Sequence, residues 1–415
     1  MSFSLPGLSP ALLRAAGERG YRAPTPIQTA AIPAILQGRD VLGSAQTGSG
    51  KTAAFVLPIL QQLQHSGRVA PRPSRRPTRA LILVPTRELA AQVGESIRAL
   101  ARYLPDAVKT AVLFGGVSIN PQMMGLRGGA DIVVATPGRL LDLIAHNAVG
   151  ISALAVLVLD EADRLLDLGF ADELGRLLAL LPQRRQNLLF SATFAPAVQA
   201  LANDLLRNPT RIEVAAEPAD EPDIRQRAVS VDAGRRTQLL RHLIRHDGWA
   251  RVLVFVATKH AAEIVADKLR KAGIDAEPFH GMLGQGKRSQ VLADFKASRL
   301  QVVVATDVAA RGIDIAQLPV VVNYDLPRST VDYLHRIGRT GRAGERGLAL
   351  SFIGADNEAH FRLIEKRQHL SLPREHIAGF EPVETTVAPA PSSGGIKGKR
   401  PSKKDKLRAA AAQEP

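Results

Sequence analysis

Residues 41–52 read VLGSAQTGSGKT, and this stretch decides the fold of the first half of the chain. Its apolar start predicts a strand, and the residues after Thr52 form an apolar helical stretch. The glycines between them let the backbone curl so that successive N–H groups point at phosphate oxygens, and the helix N-terminus adds its positive end. A chance glycine-rich turn is the alternative, but the strand before and the helix after favour a phosphate-binding loop.

Within this loop, we expect Lys51 to reach the terminal phosphates of a nucleotide and Thr52 to offer its hydroxyl to Mg²⁺. The general pattern starts with glycine, whereas this chain has Ala45, which begins the loop without having to touch phosphate. The predicted nucleotide-binding residues of the loop are Ala45, Gln46, Thr47, Gly48, Ser49, Gly50, Lys51 and Thr52.

Short β-branched runs alternate with helical stretches along the whole chain. The runs are continuously apolar, which is typical of parallel strands covered by helices on both faces. The pattern predicts an α/β protein with two successive domains, each a mostly parallel sheet covered by helices. The candidate strands are residues 41–45, 80–84, 111–114, 132–135, 156–159, 188–190, 252–256, 302–305, 320–323 and 349–352.

The composition is compatible with two aliphatic cores and a polyanionic partner. The 415 residues are 45% hydrophobic but only 4% aromatic, and their net charge is +15. Such a charge suits nucleic acid, although a merely soluble, arginine-rich protein would show the same balance. No cysteine is present, which excludes disulfides and thiolate metal sites and fits a reducing compartment. Without a signal-peptide pattern or a membrane-length apolar run, we expect a cytoplasmic location and no membrane association.

Two shifts in composition divide the chain. The sequence AAEPADEPD from residue 215 is polar and contains proline, which is typical of a linker. The last stretch has almost no large apolar side chains, and residues 384–415 hold seven Lys or Arg against three Asp or Glu, a net charge of 7 − 3 = +4. It therefore predicts a disordered basic tail. The predicted division is a first domain at 1–214, a linker at 215–225, a second domain at 226–382 and the tail at 383–415.

A second acidic motif follows the apolar run at residues 156–159. Asp160 at the end of this strand is expected to hold Mg²⁺, and Glu161 is a candidate general base for an attacking water. Taken alone, such an acidic turn is more often a solvated loop or a helix cap. The buried strand before it and the phosphate-binding loop upstream favour the catalytic interpretation.

At this point the chain resembles the DEAD-box family of ATP-dependent RNA helicases, whose name is spelled by residues 160–163. Among its branches the sequence is most similar to the bacterial RhlE-like branch. The resemblance implies two tandem RecA-like domains. Further motifs follow in the family's order, with an isolated Phe3 upstream: 20–28 (GYRAPTPIQ), 85–89 (PTREL), 115–116 (GG), 136–139 (TPGR), 191–193 (SAT), 254–256 (VFV), 285–288 (QGKR), 305–314 (ATDVAARGID) and 335–342 (HRIGRTGR).

The ATP site gains residues from these motifs. A side-chain amide carries a donor and an acceptor, so Gln28 can pair with an adenine edge and favour ATP over GTP. By resemblance, Tyr21 stacks on the base, although a half-buried packing tyrosine is the alternative. The resemblance also implies that Thr25 and Asp314 contact the nucleotide, with Asp314 on the ribose. It further implies catalytic roles for His335, Arg339 and Arg342, with both arginines acting on the γ-phosphate, and interdomain coupling by Asp163, Ser191 and Thr193.

The implied RNA-binding residues are small, hydroxylic or basic, and none is aromatic. Such side chains contact phosphates and sugars and do not read bases, so we expect a grip on single-stranded RNA with little sequence specificity. These residues are Thr86, Arg87, Gly116, Thr136, Gly138, Arg139, Arg288, Thr306 and Val308.

Two functions use the same motifs. The first is an RNA-stimulated ATPase that locally unwinds short RNA duplexes, and the second is an ATP-gated RNA clamp or remodelling scaffold. Intact Glu161, Arg339 and Arg342 favour turnover. A DNA-translocating helicase is weakened because the two domains fill the chain without an accessory domain. ATP and Mg²⁺ are the expected cofactors, ribosomal or degradosome proteins are candidate partners, and a monomer is expected.

Overall fold

A computed structural model describes the chain over most of its length. The described residues are 3–45, 49–65, 76–214, 223–310, 318–341 and 346–383. The predicted linker therefore lies mostly outside the described residues, and the predicted tail lies outside them from residue 384 onward.

The first domain is built on a seven-stranded sheet with the order β3-β4-β2-β5-β6-β1-β7, in which every pair of neighbours is parallel. Its strands are continuously apolar because helices cover both faces. The strands are β1 (Val41–Ser44), β2 (Ala80–Leu83), β3 (Thr110–Leu113), β4 (Ile132–Ala135), β5 (Val156–Leu159), β6 (Gln186–Ser191) and β7 (Thr210–Glu213). The helices are α1 (Pro10–Glu18), α2 (Pro26–Leu36), α3 (Lys51–His65), α4 (Arg87–Leu100), α5 (Asn120–Gly125), α6 (Pro137–Ala145), α7 (Ala162–Asp167), α8 (Ala171–Leu180) and α9 (Pro196–Leu205).

The second domain repeats this architecture with a sheet of order β10-β11-β9-β12-β13-β8-β14, again parallel throughout. Adding seven to each strand number of the first sheet gives the order of the second. Its strands are β8 (Ile224–Ser230), β9 (Val252–Val256), β10 (Ala276–Phe279), β11 (Val302–Thr306), β12 (Val320–Asn323), β13 (Gly347–Ile353) and β14 (Arg374–Glu375). Its helices are α10 (Arg236–His246), α11 (Lys259–Lys271), α12 (Gln285–Lys296), α13 (Asp307–Ala310), α14 (Thr330–Ile337) and α15 (Glu358–Gln368).

The structure confirms the predicted fold class, two α/β domains with parallel sheets. All ten candidate strands are present, within two residues at each end. Four strands were not predicted, namely β7, β8, β10 and β14. Of these, β7, β10 and β14 lie at or near sheet edges, where polar or short sequences can form strands. Pro278 in β10 is tolerated for the same reason.

The predicted domain boundary at residue 226 needs a correction. Strand β8 begins at Ile224, so the last two residues of the predicted linker belong to the second sheet. Its sequence, IRQRAVS, alternates polar and apolar residues and does not form the continuous apolar run that predicted the other strands. In the structure, Arg227 of this strand pairs with Glu375 of β14, with nitrogen–oxygen distances of 2.6–3.1 Å. At the other end, the Val383 N–H donates to both carboxylate oxygens of Asp232, at 3.2 and 2.9 Å, so contacts of the second domain extend one residue past 382.

The order of strands separates two groups of motifs in the first domain. The phosphate-binding loop, the acidic motif and the SAT motif follow β1, β5 and β6, which are neighbours in one half of the sheet. The motifs implied in RNA binding follow β2, β4 and β3, which form the other half. Because the carboxyl ends of parallel strands share one edge, both groups lie along a single rim of the domain.

Candidate functional site

The phosphate-binding loop is held by the start of α3. Lys51 is the first residue of that helix, only 7% exposed, and its Nζ donates to the carbonyl oxygen of Ala45. Burial lowers the pKa of Lys51, and the carboxylates of Asp160 and Glu161 act in the opposite direction. Ser49, Gly50 and Thr52 lie in the same turn, whereas Gln46, Thr47 and Gly48 lie outside the described residues.

Gln28 is attached directly to this loop. Its Oε1 accepts from the Thr25 N–H at 3.0 Å, and its Nε2 donates to the Gly50 carbonyl at 3.2 Å. Gly50 has φ +92°, and a Cβ there would lie 2.4 Å from Gln28 Nε2, so glycine is required at this position. Each end of the amide keeps one further hydrogen-bonding position, the pair that an adenine edge needs. The adenine role of Gln28 stays a prediction.

Tyr21 lies next to these residues and packs with Phe3, at a ring-centroid distance of 5.9 Å. It is half-buried against the core of the first domain. Core packing, the alternative for this side chain, is therefore observed, and stacking on a base stays a prediction.

The acidic motif turns sharply at the end of β5. Asp160 is 2% exposed, and burial together with the neighbouring Glu161 carboxylate raises its pKa to about 7, although Lys51 opposes the shift. Glu161 is held in the left-handed region, at φ 52° and ψ 52°, which is unusual for a non-glycine residue. Its Oε2 accepts from Arg164 Nη1 at 3.0 Å, so the candidate base is oriented by a buried cation.

The last acid of the motif connects β5 to β6. The Asp163 carboxylate accepts from both the N–H and the hydroxyl of Thr193, each at 3.1 Å. In return, the Asp163 N–H donates to Ser191 Oγ at 3.3 Å. The three residues predicted to couple the domains thus form one hydrogen-bonded unit at the end of the sheet.

The residues present fit a magnesium ion. A buried carboxyl group whose pKa is raised, such as Asp160, becomes favourably ionised when a cation lies beside it. Over the described ranges, no group of three or more His, Cys, Asp or Glu side chains is arranged to hold a metal. Proteins commonly hold Mg²⁺ through one or two side chains, substrate phosphates and water. Asp160 and Thr52 are the residues that would take part.

Helix α14 brings the second domain to this site. Burial lowers the pKa of His335 to about 4, and Arg164 of the first domain contributes to this shift, while Asp163 opposes it. The imidazole therefore lies within electrostatic reach of the acidic motif across the cleft. Arg339 is buried at the end of the same segment, and its charge also acts on His335. Arg342 and Asp314 lie outside the described residues.

Arg336, between these residues, anchors the helix within its own domain. It is 2% exposed, and its guanidinium pairs with both oxygens of Asp307 at 2.6 and 2.7 Å. It also donates to Asn323 Oδ1 at 3.0 Å and lies 4.8 Å from the ring centroid of Phe255. Among the arginines of residues 335–342 that the structure describes, Arg336 is thus a structural anchor of the second domain.

Several residues implied in RNA binding lie at helix N-termini on the rim. Thr86 caps α4, where its hydroxyl accepts from the Leu89 N–H at 3.2 Å. Arg87 lies against Gly116, where a Cβ would come within 1.9 Å of Arg87 Nη2, so this glycine makes room for the guanidinium. Thr136 precedes α6, Gly138 lies in its first turn, and Arg139 Nη2 donates to the Val117 carbonyl at 2.7 Å.

Arg288, which is implied in RNA binding, contacts the other domain. It is 3% exposed, and its Nε and Nη2 lie 2.8 and 2.6 Å from Oε1 of Glu88 in the other domain. Its Nη1 donates to the His280 carbonyl at 3.1 Å, and Phe279 lies 4.6 Å below the guanidinium. In this arrangement the side chain joins the two domains, and its role in RNA binding stays a prediction. Thr306 ends β11 and is partly exposed, and Val308 is 60% exposed on α13, both compatible with a ligand surface.

Sequence reasoning missed Glu88, Arg164 and Arg336, which orient or join the site. Glu88 and Arg164 each stand next to a residue that was predicted, Arg87 and Asp163, so proximity in sequence was the available signal. Their roles depend on contacts across a helical turn or between domains, which motif spacing does not encode.

Over the ranges that the structure describes, no helix is both long enough and apolar enough to cross a membrane. Taken together, the fold and the rim define a protein with two tandem RecA-like domains. One domain holds a phosphate-binding loop, and the other is joined to it by the ion pair of Arg288 with Glu88.

Comparisons with known proteins give the family. The family model "DEAD/DEAH box helicase" matches residues 25–201, and the model "Helicase conserved C-terminal domain" matches residues 235–344. The chain is 40% identical to the ATP-dependent RNA helicase DeaD of Mycobacterium tuberculosis over 378 residues, which are 91% of this chain and 65% of that protein. It spans less than two thirds of that relative's length. The chain belongs to the DEAD-box helicase family, and the RhlE-like branch stays a prediction.

Two structures of one related protein bear on how the domains are arranged. Dbp5 of S. cerevisiae bound to RNA and ADP BeF3 is 32% identical, with a TM-score of 0.76 over 89% of this chain and 94% of that one. A Dbp5 variant bound to Nup159, Gle1, IP6 and ADP has a TM-score of 0.57, at 30% identity over 91% of this chain and 96% of that one. Since the protein is the same apart from substitution, the arrangement of this chain is more similar to that of RNA-bound Dbp5.

Proposed function

We propose that the chain is an RNA-stimulated ATPase that closes on ATP and a single RNA strand and locally unwinds short RNA duplexes. The observation that carries the proposal is the contact between the domains, in which Arg288 lies 2.6 Å from Glu88, while the charges of Asp163 and Arg164 act on His335 of the other domain. Neither domain alone then holds a complete site. ATP-dependent RNA helicases are also what the curated relatives are named.

In the proposed reaction, the oxygen of a water molecule attacks the γ-phosphorus of ATP, and the bond to the β–γ bridging oxygen breaks. Glu161, oriented by Arg164, takes the proton of the attacking water. Lys51 and the loop N–H groups hold the phosphates, and Arg339 and Arg342 meet the charge that develops on the transferred group. Bound Mg²⁺ would supply charge neutralisation at the phosphate oxygens.

RNA would lie along the other half of the rim. Thr86, Arg87, Thr136 and Arg139 stand there at helix N-termini, where N–H groups and cations favour phosphate. Ion pairing of Glu88 with Arg288 joins this half to the second domain, so RNA binding and closure would favour each other.

The test compares the whole chain with a fragment of residues 1–215, which holds its own parallel sheet. We expect RNA-stimulated release of phosphate from the whole chain and almost none from the fragment. Arginine fingers supply roughly 10³–10⁵ in rate in related chemistry, so Arg339→Ala in the whole chain should lower turnover far more than nucleotide affinity. Turnover of the fragment within about tenfold of the whole chain would refute the shared site.

The same experiment separates the second candidate, an ATP-gated RNA clamp. A clamp would hold RNA with an ATP analogue but release little phosphate. The intact Glu161 and Arg339 favour turnover. We further propose a cytoplasmic monomer with a role in ribosome assembly or RNA decay; the net charge of +15 supports the monomeric state and a nucleic-acid partner.

A further inference from the structure

A cleft on the second domain combines aromatic rings with cations. It has a volume of about 400 Å³ and is lined by Gln238, Arg241, His242, Arg245, His246 and Phe380. Three of these side chains form a row of rings: His246 lies 5.4 Å from His242, which lies 5.3 Å from Phe380. We call this the α10 surface, because five of its six residues belong to that helix.

The α10 surface is positively charged. The guanidinium of Arg235 lies 5.1 Å from the Phe380 ring centroid, and Arg241 and Arg245 are exposed beside the row. Among the described residues, no acidic side chain lines the cleft. Of the acids next to it, Asp247 pairs with His246 at 2.7 Å and lies 4.0 Å from Arg227, and Glu381 accepts from the Gly379 N–H at 3.1 Å. The surface is therefore suited to an anionic ligand with flat, stackable groups.

The α10 surface lies away from the predicted RNA-binding rim. Helices α10 and α11 pack on the side of the second sheet that includes Val252 and Val254. Residues of α12 and α13 pack on Leu253 and Phe255, and successive side chains of a strand point to opposite faces. The nucleotides held in the cleft between the domains therefore cannot also occupy the α10 surface. A ligand of the α10 surface is either a separate molecule or a continuation of that RNA strand.

The basic C-terminal segment leaves the domain beside this surface. Phe380 comes three residues before Val383, whose N–H is held by Asp232 at the entrance to α10. The 32 residues that follow, 384–415, carry a net charge of 7 − 3 = +4.

We propose that the α10 surface is a second RNA-binding site, which stacks bases of the single strand outside the segment held between the domains. The proposal rests on RNA being the ligand of the core. A row of rings flanked by guanidinium groups is the arrangement that binds single strands without sequence preference. An acidic protein segment would use the cations but would have little use for three adjacent rings.

The test measures affinity for a short RNA of about 8 nucleotides, which fits the core, and a long RNA of about 30, each with an ATP analogue present. Arg241→Gln with Arg245→Gln removes the two exposed cations, and Phe380→Leu removes a ring while keeping its apolar contact. Lys366→Gln with Arg367→Gln on α15 is the matched control, since it removes two exposed cations elsewhere in the same domain.

In the variant that lacks both arginines, the slope of log affinity for long RNA against log salt should fall in magnitude by about 1.4. This value is the sum of two lost phosphate contacts at about 0.7 each. Phe380→Leu should weaken long-RNA binding about tenfold, in line with the loss of one stacked base. Short-RNA affinity and its ATPase stimulation should not change. Ultraviolet crosslinking of long, uridine-containing RNA should give adducts on peptides with His242 or Phe380.

Unchanged long-RNA affinity in both variants would overturn the proposal, as would an equal loss in the α15 control. Binding of an acidic peptide that the arginine variant abolishes, with RNA affinity unchanged, would make the surface a protein-docking site and would also overturn it. Failure of the proposed function is separate, because it would appear as a lack of ATPase stimulation by short RNA in the unmodified chain.

Discussion

The buried pair between Glu88 and Arg288 should set how strongly ATP and RNA favour each other. Arg288 is kept in place within its own domain by the His280 carbonyl and by Phe279, at 3.1 and 4.6 Å. Glu88→Gln therefore removes the opposite charge without displacing the guanidinium. Glu88 also follows Arg87 at the start of α4, so the change acts on closure while leaving the neighbouring residues that are predicted to bind RNA intact.

The size of the effect follows from the geometry. Two nitrogen atoms of Arg288 lie 2.8 and 2.6 Å from one carboxylate oxygen, and both side chains are almost fully buried. Hydrogen bonds to charged groups contribute about 1.5–3 kcal/mol each, whereas burial lowers the pKa of Arg288 and so offsets part of the gain. Because Gln still accepts a hydrogen bond, a net loss of about 2 kcal/mol, or about 30-fold in coupling, is expected.

The coupling is measured as the ratio of RNA affinities with and without a non-hydrolysable ATP analogue. Arg288→Gln and the double variant complete a thermodynamic cycle, in which the two changes should be strongly non-additive. Glu375→Gln is the matched control, because it breaks the pair with Arg227 inside the second domain. That control should lower the stability of the second domain and leave the coupling unchanged.

A coupling ratio for Glu88→Gln within about twofold of the unmodified chain would refute this reasoning. Additive effects in the cycle would also refute it, because they would mean that Arg288 acts independently of Glu88, for instance directly on RNA.

Four further variants test the site. Lys51→Ala should abolish useful ATP binding in a fluorescent-nucleotide titration, because the polyphosphate loses its cation; near-normal ATPase would contradict the assignment. Glu161→Gln should bind ATP and RNA but hydrolyse ATP roughly 10²–10⁴-fold more slowly in single-turnover assays, unless another group takes the proton. Gln28→Ala should weaken the preference for ATP over GTP in competition binding, and unchanged discrimination would mean that adenine is read elsewhere. Burial and Arg164 lower the pKa of His335 to about 4, so an open form with an ordinary histidine binds more protons between about pH 6.5 and 4. The coupling should therefore weaken as pH falls from about 7 to 5, and a decline of the same size in His335→Gln would exclude this histidine as its source.

The fold was predictable where the burial of a strand can be read from its own sequence. Continuous apolar runs such as VLVL of β5 identify strands buried on both faces, and all ten predicted strands are present. Strand β8 was not predicted because it contains Arg227. The carboxylate that pairs with this arginine belongs to Glu375, almost 150 residues away in sequence. Sequence pattern reports local burial, whereas such pairing depends on the sheet order.

The candidate site divides in the same way. Lys51 and Asp160 follow from their motifs and Gln28 follows from the family resemblance, and the structure brings the three residues to one end of the sheet. The motif of Arg288 does not reveal that this side chain pairs with a carboxylate of the other domain, and its RNA contact stays a prediction. Contacts between domains are set by their relative orientation, which no local pattern encodes.

The identical strand order of the two sheets makes the chain resemble two copies of one unit, arranged head to tail. The counterpart of Lys51, the first residue of α3, is Arg236, the first residue of α10. Arg236 is already neutralised by Asp325 at 3.2 Å and Asp356 at 2.8 Å, from the loops that follow β12 and β13. Internal ion pairs thus occupy the place in the second unit that corresponds to the phosphate-binding loop. The second unit instead serves as the neighbour that completes the site of the first. The two units correspond to two neighbouring subunits of a ring and the one interface between them. Because both units belong to one chain, this interface can open and close without subunits being lost.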